Sequence, residues 1–247
     1  MNTNPIGLIA GEGKLPQLIA KGIHNAGKKV ACIGLKNYYH KDLPSYCDYF
    51  KAVGPFRIGQ WIRTLKKWKI SKAIMVGRVQ KKQMYDPRRF FNQLPDIKTL
   101  SLWYFSLKDD KRSPAVLNAL TEELNKKGIQ LIDSTSYIQD HLAEVGTLGF
   151  HQPKKENLSD ISFAWPILNK INSLKIGQAI TVKGKDIIAV EALEGTDAMI
   201  ERTGRLCKKG GWTLVKTASE NHDMRTDVPT IGINTIEKVY DNGGNTI

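Results

Sequence analysis

Cysteine is scarce in this chain. Cys32, Cys47 and Cys207 are the only three in 247 residues, odd in number and far apart. That excludes a disulfide-stapled secreted scaffold, leaves no cysteine metal motif, and suits a reducing cytoplasm. Long apolar runs are also missing: none approaches the roughly 20 residues a helix needs to span a bilayer. The opening Met1-Asn2-Thr3-Asn4-Pro5 has no basic stretch and leads straight into an apolar run, so no signal peptide is expected. No repeat is present, and the only low-complexity segment is the tail from Asp241 to Ile247, expected to fray. Acid is the most uneven shortage. Between Lys51 and Leu100, 13 lysines and arginines stand against Asp86 and Asp96, a local balance of +11 within a net charge of +13. Such a block draws the protein to something anionic: nucleic acid, an acidic membrane face or a phosphorylated ligand.

What is present reads as α/β. Ile6 to Ala10 is a buried strand running into Gly11-Glu12-Gly13-Lys14-Leu15-Pro16, then a helix over Pro16–Ala26 and a strand over Val30–Leu35. The glycine-rich turn has two readings. It presents backbone N–H groups and a helix N-terminus to an anion, or it is a tight turn that needs glycine for its backbone. A dinucleotide fingerprint would put a third glycine where Pro16 stands and an acid near Lys36, so a nicotinamide site is not indicated. Ile58 to Ile70 is a basic amphipathic helix, either lying on a membrane or packed on its own sheet with Arg63, Lys66, Lys67 and Lys69 solvated. Ser71–Val76 is a strand that delivers Gly77-Arg78 to the carboxyl edge of the sheet, where open α/β sheets bind ligands. Lys81 to Phe91 is basic and aromatic without a period, a loop or short helix. A helix over Ser113–Lys127, a strand over Ile129–Ile132, the polar turn Asp133-Ser134-Thr135-Ser136 and a helix over Tyr137–Val145 complete a first domain, 1–146. Residues 147–159 read as a linker and 160–247 as an α+β domain, with a helix over Asp160–Leu174 and a hairpin around Gly184.

The second domain carries the chemistry. Glu191, Glu194, Asp197, Asp223 and Asp227, with Arg202, Lys216 and Arg225, stand at strand ends or just after them. Carboxylates that hold a divalent ion, mixed with cations that grip phosphate, are what metal-assisted phosphoryl chemistry needs. Asp223, Arg225 and Asp227 alternate, which in extended backbone puts all three on one face.

These residues carry a resemblance. The strings Gly7-Leu8-Ile9-Ala10-Gly11-Glu12-Gly13-Lys14-Leu15-Pro16, Met75-Val76-Gly77-Arg78-Val79, Asp133-Ser134-Thr135-Ser136-Tyr137 and Ile176-Gly177-Gln178 are among those that carry it. The most specific are the run from Ala189 to Ile200 and the run from Asp223 to Gly232. Together they resemble the UDP-2,3-diacylglucosamine pyrophosphatases of the LpxI type, Mg-dependent enzymes of lipid A biosynthesis. The resemblance implies a Rossmann-like N-terminal domain with a parallel sheet, a C-terminal domain of its own fold, and a ligand crevice between them. It implies release of UMP from the diacylated UDP-sugar at the cytoplasmic face of the inner membrane, by a peripheral protein that does not act on nucleic acid. It allows a homodimer.

The same resemblance distributes roles. Asp223 is the decisive acid, holding Mg²⁺ or orienting water, with Asp227 and Glu191 as further metal ligands. Arg225 and Lys216 take phosphate oxygens. Gly11, Glu12, Gly13, Gly77, Arg78, Asp133, Thr135, Gln178, Thr196 and Asp197 contact substrate. The sequence departs from the family pattern at His222, where relatives carry Gln, and at Lys175, where they carry an acid. His222 stands in as a donor or titrates near neutral pH. Two other classes fit less well: a dinucleotide-dependent oxidoreductase, and a basic nucleic-acid-binding protein without a recognised motif.

Overall fold

The computed structural model describes residues 4–79, 94–108, 113–218, 225 and 228–247. Two compact units divide it, one holding residues up to 142 and the other residues 143–218 and 228–247.

The first unit is built on a parallel sheet of β1 (Ile6–Ala10), β2 (Val30–Leu35), β3 (Tyr49–Val53), β4 (Lys72–Val76) and β5 (Gln130–Leu131), in the order β3-β2-β1-β4-β5. Every residue of β1 and β2 is buried. That is why both read as unbroken apolar runs: a central parallel strand is covered on both faces. One face is covered by α1 (Leu15–Asn25) through Ile19, Ala20 and Ile23. The other is covered by α2 (Ile58–Lys67), α3 (Ile97–Ser106) and α4 (Ser113–Lys126). In α2, Ile58, Trp61, Ile62 and Leu65 are buried in this core while Arg63, Lys66 and Lys67 are exposed. The helix therefore packs on its own sheet, the second of its two readings.

Three elements differ from the sequence expectation. β3 was not expected, because an edge strand with Tyr49, Lys51 and Ala52 exposed has no apolar alternation to give it away. α3 was not expected either, because its apolar residues run all round and show no single stripe. The expected helix over Tyr137–Val145 is replaced by a 3₁₀ turn at Gln139–His141. Only Ile138 of that stretch is buried, whereas Leu142 and Val145 are exposed, so no apolar stripe rewards a longer helix. The Tyr137 carbonyl is instead seated on α1, where a Cβ at Gly22 would come within 1.9 Å of it.

The second unit is a mixed sheet in the order β7-β6-β8-β9, made of β6 (Ala179–Lys183), β7 (Asp186–Val190), β8 (Trp212–Lys216) and β9 (Gly244–Thr246). α5 (Lys155–Ser173) covers one face through Ala164 and Leu168. α6 (Thr196–Leu206) and α7 (Ile233–Asp241) cover the other around Trp212 and Leu214. The helix expected from Asp160 thus begins five residues earlier. Its buried Asp160 grips the β6–β7 hairpin: Oδ2 accepts from Gly184 N at 3.0 Å and Oδ1 from Lys185 N at 2.7 Å. Gly184 and Lys185 both have positive φ, +59° and 61°, the backbone of a type I′ turn. Among the described residues no helix is long and apolar enough to cross a membrane.

Candidate active site

Antiparallel pairing gathers the second unit's candidate residues at one end of its sheet. Ala179, first in β6, lies opposite Lys216, last in β8, and Ile180 lies opposite Val190, last in β7. Gln178, Glu191 and Lys216, far apart in sequence, therefore share an edge. Backbone bonds lock it: Glu191 N donates to Ala179 O at 2.9 Å and Thr217 N to Gln178 O at 3.0 Å. Gly177 fits against the same turn, since a Cβ there would stand 1.9 Å from the Glu191 carbonyl oxygen.

Glu191 is the chemically unusual group at this edge. Its residue is 7% exposed, and Oε1 accepts a hydrogen bond from Thr196 Oγ1 at 2.8 Å. Oε2 is buried and has no hydrogen-bond partner among the described residues. A buried carboxylate oxygen left unmet is costly and calls for a cation or donor. The loop that carries it is braced by Arg202, whose Nη2 donates to Val190 O at 2.8 Å and to Glu194 Oε1 at 2.7 Å. Thr196 opens α6 behind Gly195, whose φ of +84° suits glycine at the N-cap. Lys216 Nζ donates to Thr230 O at 3.0 Å, tying the end of β8 to the segment that follows residue 227.

In the first unit the candidates lie at the carboxyl edge of the parallel sheet. The order β3-β2-β1-β4-β5 places the topological switch between β1 and β4, whose ends carry Gly11-Glu12 and Gly77-Arg78. These two turns are sewn together. Gly11 N donates to Val76 O at 2.8 Å, Glu12 N to Arg78 O at 2.9 Å and Arg78 N to Glu12 O at 3.0 Å. A Cβ on Gly11 would lie 2.5 Å from Arg78 O, and one on Gly77 2.7 Å from the Gly11 carbonyl carbon. Both glycines thus allow two backbones to touch, and the N–H groups of Gly11 and Glu12 are spent on carbonyls. Gly13, with φ +109° and open space around it, and the exposed Arg78 side chain are among the solvent-facing groups of this edge. Asp133, just beyond β5, closes a local turn: its Oδ1 accepts from Thr135 N and Thr135 Oγ1, both at 2.7 Å.

Profiles of two domains account for nearly the whole chain. The LpxI N-terminal domain matches residues 5–141 and the LpxI C-terminal domain residues 144–247. The chain belongs to the LpxI family. A curated relative, the UDP-2,3-diacylglucosamine pyrophosphatase LpxI of Caulobacter vibrioides, is 29% identical over 242 residues, covering 94% of this chain and 83% of the relative. Among solved structures, a biotin carboxylase complex from Campylobacter jejuni covers 83% of this chain and 42% of its own at 13% identity. Its TM-score of 0.24 is too low to bear on fold or function.

In the structure the candidates separate. Glu191, Thr196, Gln178 and Lys216 come to one sheet edge. Asp197 does not join them: its Oδ2 lies 3.7 Å from Lys238 Nζ on α7, and its side chain is half-buried. Arg225 is exposed, whereas His222, Asp223 and Asp227 lie outside the described residues, as does the basic stretch from Lys81 to Phe91. Among the described residues no three histidine, cysteine, aspartate or glutamate side chains gather as a metal group. Sequence reasoning grouped Arg202 with the phosphate-gripping cations and gave Gly177 no role of its own; in the structure both hold the Glu191 turn. The signal for Gly177 was there, a glycine two residues before a strand, where a close backbone approach is the usual cause.

Proposed function

We propose that the chain hydrolyses the pyrophosphate bond of UDP-2,3-diacylglucosamine, giving 2,3-diacylglucosamine 1-phosphate and UMP in lipid A biosynthesis. Membership of the LpxI family and the printed name of the Caulobacter relative support the substrate and the reaction. One observation supports the site: the buried, half-met carboxylate of Glu191 at the edge it shares with Gln178 and Lys216. An orphaned, hard oxygen donor suits Mg²⁺, which binds through one or two carboxylates and completes its shell with water and phosphate oxygens. Glu191 through Oε2, with Asp223 and Asp227, would hold it. Bound there, Mg²⁺ supplies charge neutralisation at the pyrophosphate oxygens.

The chain's own residues do the rest. Water oxygen bonds to one phosphorus, the bridging oxygen leaves on the other, and the water's proton passes to an acceptor. Asp223 orients that water or holds the metal, while Lys216 and Arg225 place positive charge against oxygens that gain negative charge. Arg202 and Gly177 are positioning residues, since they act through the Glu191 turn. Gly13, Arg78, Asp133 and Thr135 at the parallel sheet's carboxyl edge are the corresponding substrate contacts. Because the substrate is a lipid, the protein works at the cytoplasmic surface of the inner membrane, to which its basic block draws it.

The test is release of UMP from UDP-2,3-diacylglucosamine by the purified protein, with Mg²⁺ and with excess chelator. Activity is expected with Mg²⁺ only, and Asp223→Ala is expected to abolish it while the protein stays folded. Near wild-type turnover by that variant would overturn the assignment.

A further inference from the structure

Helix α3 buries one side and leaves the other bare. Thr99 and Leu102 are buried toward α2 and the core. On the opposite side Ile97 is 86% exposed, Leu100 54%, Tyr104 65% and Phe105 79%. These stand at i, i+3, i+7 and i+8, one continuous stripe on a helix. Scattered exposed apolar residues need no account, but a contiguous stripe of four large ones on one helix marks a contact surface.

The helix is held rigidly. Its N-cap Asp96 accepts from Thr99 N and Thr99 Oγ1 through Oδ1, at 3.0 and 2.8 Å. Its Oδ2 accepts from Gln60 N of α2 at 3.0 Å, and Ile58 N donates to Thr99 Oγ1 at 3.1 Å. Lys98 Nζ lies 2.8 Å from Glu123 Oε1 of α4, close enough for an ion pair though not aligned as a hydrogen bond. The stripe is thus a built face on a fixed helix.

Charge decides what it fits. α2, packed beside α3, exposes Arg63, Lys66 and Lys67, and Lys69 is exposed just past its end. Arg63 reaches the start of α3: a Cβ on Gly59 would meet Asp96 Oδ2, Lys98 Cβ and Arg63 Nη1 together. The first turn of α3 holds no acid, and its N-cap Asp96 has both oxygens occupied by the helix ends it caps. We propose that α3, with the basic face of α2, is the surface by which the protein docks on an anionic phospholipid bilayer. Ile97, Leu100, Tyr104 and Phe105 enter the headgroup boundary, and Arg63, Lys66, Lys67 and Lys69 meet lipid phosphates. Aromatic and aliphatic side chains flanked by lysine and arginine are the composition that partitions to that boundary. The contrast with α7 supports the choice. Ile233, Ile236 and Tyr240 repeat the spacing and are exposed, but Glu237 and Asp241 lie on that helix and Lys238 is already paired with Glu201 at 2.7 Å. That face lacks the positive charge an anionic bilayer requires.

The inference rests on the membrane part of the proposed function, and binding to vesicles without substrate tests it apart from catalysis. The full chain is sedimented with vesicles of phosphatidylcholine containing about a third phosphatidylglycerol, and with pure phosphatidylcholine. Wild type is expected to bind the anionic vesicles at least about tenfold more tightly, with binding weakened by salt. Tyr104→Ser with Phe105→Ser should lower binding at least tenfold, and Lys66→Gln with Lys67→Gln roughly thirtyfold, at about 1 kcal/mol per lysine. All four side chains are exposed, and unchanged melting temperatures check that the fold is kept. Wild type that ignores anionic vesicles overturns the membrane reading itself. Wild type that binds, with the Tyr104/Phe105 variant binding equally well, overturns the assignment to α3. A variant that changes from dimer to monomer in size-exclusion chromatography with vesicle binding intact gives the face to a second copy, and overturns it too.

Discussion

Replacing Glu191 by Gln separates two consequences of one buried carboxylate. The side chain is almost wholly buried, Oε1 is satisfied by Thr196, and Oε2 has no partner among the described residues. A buried polar group left unmet costs about 1–3 kcal/mol, and more when it is charged. Glutamine keeps the shape and the Thr196 bond but removes the charge. Without Mg²⁺ the variant should therefore be as stable as wild type or more so, by about 1 kcal/mol. With Mg²⁺ the order should reverse. A ligand that binds only the folded state at a hundredfold excess over its Kd adds about 2.7 kcal/mol, a rise of about 10 °C in melting temperature for a unit of this size. Glu191→Gln should lose most of that rise. The assay is calorimetry or intrinsic-fluorescence melting of both proteins in chelator and across a Mg²⁺ titration. An equal Mg²⁺-dependent rise in the two proteins would refute the ligand role, and a variant less stable by more than about 2 kcal/mol without metal would refute the unmet-charge argument.

Other predictions follow from single contacts. Gly77→Ala forces a Cβ to 2.7 Å from backbone at a φ of +92°, and should cost about 2–4 kcal/mol in urea unfolding of the first unit, with UMP release falling as the β1 and β4 turns separate. Asp160→Ala leaves Gly184 N and Lys185 N without their acceptor and should destabilise the second unit by about 3 kcal/mol; a loss under about 1 kcal/mol would mean the hairpin holds its turn alone. Asp48 is partly desolvated, which raises its pKa, but hydrogen bonds from Val30 N and His24 outweigh this and hold it below the ordinary carboxylate value. The stability it contributes is present above the unfolded value of about 3.9 and is lost as pH falls through the lower folded one. Asp48→Asn should therefore flatten the acid limb of a stability-versus-pH curve below about pH 4, and superimposable limbs would show that Asp48 contributes nothing there.

Much of the architecture was legible in local pattern. Unbroken apolar runs marked β1, β2 and β4 because central parallel strands are buried on both faces, period 3.6 marked α2, and a proline suited to a first helical turn marked the start of α1. Gly184 marked its hairpin because a tight β-turn needs a residue that takes positive φ. Elements without a one-sided pattern escaped: β3 lies at an exposed edge, and α3 is apolar on both its buried and its bare side. The candidate residues were legible as types of group, carboxylates and cations near strand ends, because that chemistry depends on residue identity alone.

Which of those groups meet was decided by register. Gln178, Glu191 and Lys216 share an edge because β6 runs antiparallel to both of its neighbours, and no spacing along the chain encodes that. Asp197, only one residue from Thr196, leaves the group because a helix turns each successive side chain by about 100°. The turn at Gly11 had two readings along the chain, an anion site or a backbone that needs glycine, and Gly77 was known only to stand at the sheet's carboxyl edge. Pairing of β1 with β4 makes them the seam where two backbones touch, since only a residue without Cβ allows that approach.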